Sequence, residues 1–212
     1  MARRLTALAW AACCAGVAAG CASHKEPDEN LVPVALPLPS PVLAGRSVAL
    51  FPVTLIATDR RLGWDEAIGG RDVARQQADS VIAEFLLERA PEADWVLPDA
   101  LRRAARQAPG VLTDPDKMGT SVLRAENLEK IPDPLRAQMR NLVGVAADRY
   151  ALVPAAIAFQ QTPEGRGSAE INLVLTDVRF GIVTWRTIAH GEGDGPWDAL
   201  WDALRGLVPD LP

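Results

Sequence analysis

The stretch AEINLVLTDVRFGIVTWRTIAHGEG, residues 169–193, decides the fold. Ile171, Leu173 and Leu175 alternate with Glu170, Asn172 and Thr176, and Val183 and Trp185 alternate with Thr184 and Arg186. A period of two is that of a strand with one buried face. A tight turn near Arg179 to Gly181 joins the two runs into a β-hairpin, and Gly181 can supply the positive φ that such a turn needs.

Outward toward the N-terminus, QQTPEGRGS (160–168) reads as a turn, and YALVPAAIAF (150–159) as a continuous apolar strand, buried on both faces. SVALFPV (47–53) is a second strand of that kind, and DWVLP (94–98) a third, short one. Helices separate them. From Asp72 to Arg89, Val73, Ala78, Val81, Ile82, Phe85 and Leu86 share one stripe, with Gln76, Asp79 and Glu84 turned away. Asp99 is placed to cap a helix through ALRRAARQA that stops at Pro109 and Gly110, and Asp133 with Pro134 to start one through Leu135, Met139, Leu142 and Val143. A short helix is expected around Val122 to Leu128. Beyond the hairpin, Gly195 and Pro196 open an amphipathic helix carrying Trp197, Leu200, Trp201, Leu204 and Val208 on one face. The expected fold is α/β: a single domain with a mixed sheet of about five strands covered by helices, closed by the hairpin and the last helix.

The chain begins differently. Arg3 and Arg4 precede an apolar, Ala-rich run from Leu5 to Ala19, the charged and hydrophobic regions of an export signal. The run is short of the roughly 20 apolar residues that span a bilayer. Val17, Ala18, Ala19, Gly20 and Cys21 resemble the bacterial lipobox, which implies cleavage between Gly20 and Cys21 and acyl chains (palmitate-type) on Cys21. The alternative is a secretory signal cut after one of the alanines, with Cys21 a free thiol. Cys13 and Cys14 fall in the discarded segment, so a lipidated Cys21 leaves no thiol for a disulfide. Ala22 after the cysteine implies, by the same resemblance, the outer membrane and its periplasmic face. Residues 1–20 are thus expected as signal peptide, 21–45 as lipidated cysteine and tether, and 46–212 as the domain. The tether carries Pro27, Pro33, Pro37, Pro39 and Pro41. It reads either as an extended spacer or, over residues 31 to 42, as an arm along the domain surface.

Removal of Arg3 and Arg4 leaves 20 basic against 27 acidic residues, a net of −7. Phosphate-backbone binding needs a concentrated basic stripe, so nucleic acid is not an expected partner. His24 lies in the tether and His190 is the one histidine of the domain, so no metal site of two or more histidines and no cofactor is expected. The acids of DPD (114–116) with Glu126 and Glu129 lack the ligand spacing of a calcium loop, and AIGGRD lacks a phosphate-loop lysine. The alternative function is an exported hydrolase using His190 with Ser168 or Ser121 and Asp177, but no G-x-S-x-G elbow accompanies it.

VALFPV after a tether, WVLP leading to DALRRA, RYALVP, and the pattern D-x-R-x-G-x-V-x-W at Asp177, Arg179, Gly181, Val183 and Trp185 together carry a resemblance. They resemble the superfamily of envelope proteins that includes the TolB amino-terminal domain, the penicillin-binding-protein activator LpoB and the curli secretion subunit CsgG. The resemblance implies structural roles for the motif residues and work by binding and assembly, without a reaction: an envelope protein partner in a cell-wall, transport or secretion complex. Pore formation would need transmembrane hairpins with segments of about 9 to 11 alternating residues, and neither ATDRRLGWDEAIGG nor TDPDKMGTSVLRAENLEKIPD supplies them. The partner-binding candidates are Arg60, Arg61 and Trp64, an arginine and aromatic loop beyond a strand's carboxyl end. Packing of Trp64 on the core is the competing reading.

Overall fold

The computed structural model describes residues 34–208. Residues 1–20, Cys21 and the tether as far as Pro33 lie outside the described residues, so the lipobox reading is not addressed by the fold.

In chain order the elements are α1 (Ser40–Leu43), β1 (Ser47–Leu50), β2 (Ile56–Thr58), α2 (Asp65–Ile68), α3 (Arg71–Arg89), β3 (Asp94–Val96), α4 (Pro98–Gln107), α5 (Leu135–Ala146), β4 (Tyr150–Gln161), β5 (Gly167–Asp177), β6 (Ile182–Glu192) and α6 (Pro196–Arg205). They form one mixed sheet in the order β3-β1-β4-β5-β6, with β2 also on β4. β1 is parallel to β3 and β4, whereas β4, β5 and β6 run antiparallel. Short β1 and β2 lie along successive parts of β4, Val48 opposite Tyr150 and Ile56 opposite Ile157. The gap between them faces Pro154, which has no N–H to give to a ladder, and the β4–β5 register shifts between Pro154 and Ala156.

Each face of the sheet has its own core. Leu50, Phe85, Leu152, Phe159, Leu173 and Leu204 belong to the face covered by α3 and α6. Phe51, Leu101, Leu123, Met139, Val153 and Val174 belong to the face covered by α4, α5 and a 3-10 turn over Thr120–Arg124. That turn overlaps the short helix expected at 122–128 only in residues 122–124, and residues 125–128 are not helical. α6 approaches β6 backbone to backbone: a Cβ on Gly191 would overlap the Ala203 nitrogen, and one on Gly193 would stand 2.5 Å from the Ala199 nitrogen.

The body begins earlier than Arg46. The Leu36 amide donates to Thr187 Oγ1 at 2.7 Å, the Leu38 amide to the Leu207 carbonyl at 2.8 Å, and Leu38 and Leu43 are buried. Residues 34–45, expected within the tether, therefore pack against the domain, with Leu38 and Leu43 in its core. Two helix starts also differ from expectation. α4 begins at Pro98 with Leu97 as N-cap, because the proline occupies the first turn; Asp99 bonds Arg102 instead of capping. α5 begins after Pro134 with no side-chain cap from Asp133.

The hairpin forms as expected, with Gly181 at φ 71° and its amide donating to the Asp177 carbonyl at 2.7 Å. One detail of its alternation changes. The β5–β6 register runs Leu175↔Trp185 then Thr176↔Val183, leaving Thr184 as an extra residue. This bulge moves Val183 to the α5 core and Trp185 to the α6 core, so the two do not share a face. Asn172 and Thr176, expected to face solvent, are buried because both faces of β5 are covered there.

Candidate functional site: a cleft beside Trp64 and a charged clamp

β2 ends at Thr58, and the chain turns at once. Asp59 accepts the Arg61 amide at 3.0 Å, capping the 3-10 turn Arg60–Leu62, and Gly63 closes the turn at φ 65°. The same carboxylate takes the Arg61 guanidinium, with Nε at 2.9 and 3.2 Å from its two oxygens and Nη2 at 2.6 Å. The Arg61 side chain, 74% exposed, holds the Asp59 carboxyl below the usual carboxylate range, and its own pKa is raised in return.

Trp64 then turns inward. Its ring meets Phe159 edge-on at 5.8 Å, and Phe159 meets Trp197 edge-on at 5.9 Å. The other neighbour of the indole is Gly167 at the start of β5, where any Cβ would overlap the ring. Packing therefore accounts for most of Trp64. What remains is a cavity of about 360 Å³ walled by Arg61 and Trp64 on one side and by Arg166, Glu192 and Asp194 on the other. Arg166 and Glu192 form an ion pair across it at 2.5 Å. The cleft thus gathers two predicted residues, Arg61 and Trp64, with the hairpin turn 162–166 that brings Arg166. Arg60 is exposed and does not line it.

A second feature was invisible as a site in the sequence. Asp79, expected on the solvent side of α3, is 6% exposed, while Val73 of the expected apolar stripe is 61% exposed. Asp79 Oδ1 accepts the Val53 amide at 2.8 Å, a donor set free by the break between β1 and β2. Its Oδ2 accepts Arg102 Nη2 at 2.6 Å. Arg102 also donates to both oxygens of Asp116 at 2.8 Å and to Asp99 at 3.0 Å. This guanidinium ties α3, on one face of the sheet, to α4 and the 3-10 turn Pro115–Lys117 on the other, at the carboxyl ends of β1 and β3. Burial pushes the Asp79 carboxyl up to about 6, against the pull of Val53 and Arg102, whereas Asp116 is held below its ordinary range, first by Arg102. A groove of about 550 Å³ opens beside the clamp, between α3 and α4. The signal in sequence was a carboxylate three and seven residues before Ile82 and Leu86, on the stripe they define.

The residues of the hydrolase reading do not meet. His190 lies opposite Glu170, with Nδ1 3.9 Å from its Oε2, while Asp177 lies opposite Ile182. Seven strand residues at about 3.3 Å each separate the two positions by roughly 23 Å. Ser168 Oγ is engaged by the Gln160 carbonyl at 3.1 Å. Asp177 itself is structural: it is buried, accepts Arg149 Nε at 2.6 Å and the Phe180 amide at 3.1 Å, and so fixes the hairpin turn.

Fold and site together define a single-domain α/β protein with a mixed sheet between two helical layers and shallow charged clefts at its strand ends. No protein-family model matches the chain, and no curated protein matches its sequence. Among solved structures it is similar to the LpoB C-terminal domain from Salmonella enterica, with TM-score 0.42, 14% identity, and 71% of this chain and 84% of that chain covered. It is also similar to the PelC dodecamer from Paraburkholderia phytofirmans, with TM-score 0.36, 14% identity, and coverage of 82% and 94%. A third is lipoprotein GNA1162 from Neisseria meningitidis, with TM-score 0.36, 13% identity, and coverage of 70% and 81%.

Proposed function

We propose that this chain is a lipid-anchored, non-catalytic protein of the cell envelope that acts by binding another envelope protein. The observation that carries the reading is Val17-Ala18-Ala19-Gly20-Cys21 closing a short apolar run, ahead of a proline-bearing segment. More than one acyl chain on Cys21 would hold the domain stably at a bilayer, since each buried methylene adds about 0.8 kcal/mol. The outer membrane, on its periplasmic side, is the proposed address. Among the described residues no helix is long and apolar enough to cross a membrane. The cleft of Arg61, Trp64, Arg166 and Glu192 is the proposed contact, because it presents an aromatic edge and charges of both signs around a small depression, the composition of a protein interface.

Intact-mass and peptide mass spectrometry of the protein purified from membranes tests the anchor. An N-terminal Cys21 carrying acyl chains is expected; a free thiol, or a retained leader, overturns it. A photo-crosslinking residue at position 61 tests the contact, and a discrete protein adduct is expected there.

A further inference from the structure

The turn of the β5–β6 hairpin stands at the opposite end of the strands from the Trp64 cleft, and it is built more firmly than a solvent-exposed turn requires. The Phe180 amide is bonded to Asp177 Oδ1 at 3.1 Å. The Phe180 ring lies 5.0 Å from the Arg149 guanidinium, which lies 5.2 Å from the Tyr150 ring, and Arg46 covers the same tyrosine at 5.8 Å. Arg149 is in turn held by the buried Asp177. Arg136 packs along Gly181, where a Cβ would overlap its side chain, and its buried Nε has no hydrogen-bond partner. The ring at the end of this ladder is nevertheless 58% exposed. Ile182 and Val145 (68% exposed) leave further apolar surface at this end of the domain. Burying a phenylalanine is favourable, and the folded chain by itself forgoes much of that gain.

A rigid, exposed aromatic flanked by arginines is the make-up of an interface anchor: the ring is oriented before binding, so little ordering entropy is lost on contact. The geometry points to the Arg179–Phe180 tip as a second docking surface, for a protein presenting an apolar pocket rimmed by carboxylates. Arg179 and Arg46 supply the complementary charge, since neither has a carboxylate partner among the described residues. An anionic bilayer fits less well. Attraction to it grows with each unpaired basic residue near the surface, whereas here Arg149 is already neutralised by Asp177 and the exposed Asp148 stands beside it. The inference rests on the reading that the chain works by binding protein, and adds where and to what chemistry.

The test uses the full lipidated chain in cells, with a benzophenone amino acid at position 180, and in separate strains at 61 and at the exposed Val73. Position 180 is expected to give an adduct with a protein of another sequence, absent at 73 and reduced at least tenfold by Arg179→Glu. An Asp→Arg or Glu→Arg change in the crosslinked segment of that partner should restore the adduct in the Arg179→Glu strain. A lipid adduct, an adduct of two copies of this chain, equal labelling at 73, or indifference to Arg179→Glu overturns the inference. An adduct at 61 with none at 180 overturns it alone, whereas no protein adduct at either position overturns the proposed function as well.

Discussion

Replacing Asp79 separates what its hydrogen bond does from what its charge does. In Asp79→Ala the Val53 amide loses its acceptor in a buried setting, which costs about 1–3 kcal/mol, and the void left behind adds to this. Arg102 is not left uncompensated, because Asp116 takes it at two points and Asp99 at a third. The full 3–5 kcal/mol typical of an orphaned buried charge is therefore not expected. In Asp79→Asn the carbonyl oxygen still serves Val53, the amide nitrogen cannot accept from Arg102, which keeps Asp116 and Asp99, and the charge whose burial is unfavourable has gone. At pH 7 this variant should lie within about 1 kcal/mol of the wild type, against a loss of about 2–4 kcal/mol for Asp79→Ala. The pH dependence supplies the sign. The folded carboxyl titrates at about 6 and the unfolded one at 3.8, so between those values the folded state binds more protons and Asp79 makes the protein more stable as pH falls. Over pH 7 to 5 the wild type should gain about 1.4 kcal/mol on Asp79→Asn, roughly one factor of ten. Urea unfolding followed by tryptophan fluorescence at pH 7, 6 and 5 measures both quantities. A constant difference between wild type and Asp79→Asn across that range, or one that moves in favour of the asparagine, would show that burial does not raise this carboxyl.

Gly191→Ala should cost about 3 kcal/mol or more by driving a methyl into the backbone of α6, while Gly144→Ala, exposed within α5 with open space around it, should raise stability by about 0.5–1 kcal/mol. Asp177 behaves oppositely to Asp79. Burial pushes it up, but Arg149 and the Phe180 and Arg179 amides together hold it below 3.8. Its contribution is thus present above about pH 4 and lost as pH falls through the lower folded value, so the stability gap between wild type and Asp177→Asn should close between pH 5 and pH 2 in the same unfolding assay. Trp64→Ala should lower the unfolding midpoint as well as any crosslinking from position 61, because the indole packs on Phe159 and Gly167. Arg166→Glu, an exposed change on the other wall of the cleft, should lower crosslinking from position 61 and leave the unfolding free energy within about 1 kcal/mol.

The legible parts of the fold were those where one physical rule acts alone. The hairpin was readable because alternation and a positive-φ glycine agree, and the buried strands because apolar runs of that length have few other fates. Trp197, Leu200, Trp201 and Leu204 marked α6 by periodicity, and Phe85 meets Trp201 edge-on at 5.5 Å as that face requires. The illegible parts were those where two elements compete for one residue. Pro98 and Asp99 both favour a helix start, and the proline took the first turn, leaving the carboxylate for Arg102. Thr184 has no feature that announces a bulge, since the extra residue is a property of the paired register with Leu175 and Thr176.

The candidate site divides in the same way. Trp64 and Arg61 could be named from composition, but Arg166 and Glu192 reach them only through the fold, one from the turn between β4 and β5 and the other from the end of β6. The Asp79 clamp was misread because helical periodicity assigns an average face, whereas a single polar residue is buried whenever a partner on another element meets it. Here that partner exists because Pro52 and Pro154 interrupt the pairing of β1 and β2 with β4, leaving the Val53 amide to find an acceptor. A carboxylate is the group that can accept both that amide and a guanidinium arriving from the far side of the sheet. The break in the strand and the buried charge are therefore one feature: restoring a continuous strand between Leu50 and Ile56 would remove the reason for Asp79 to be inside.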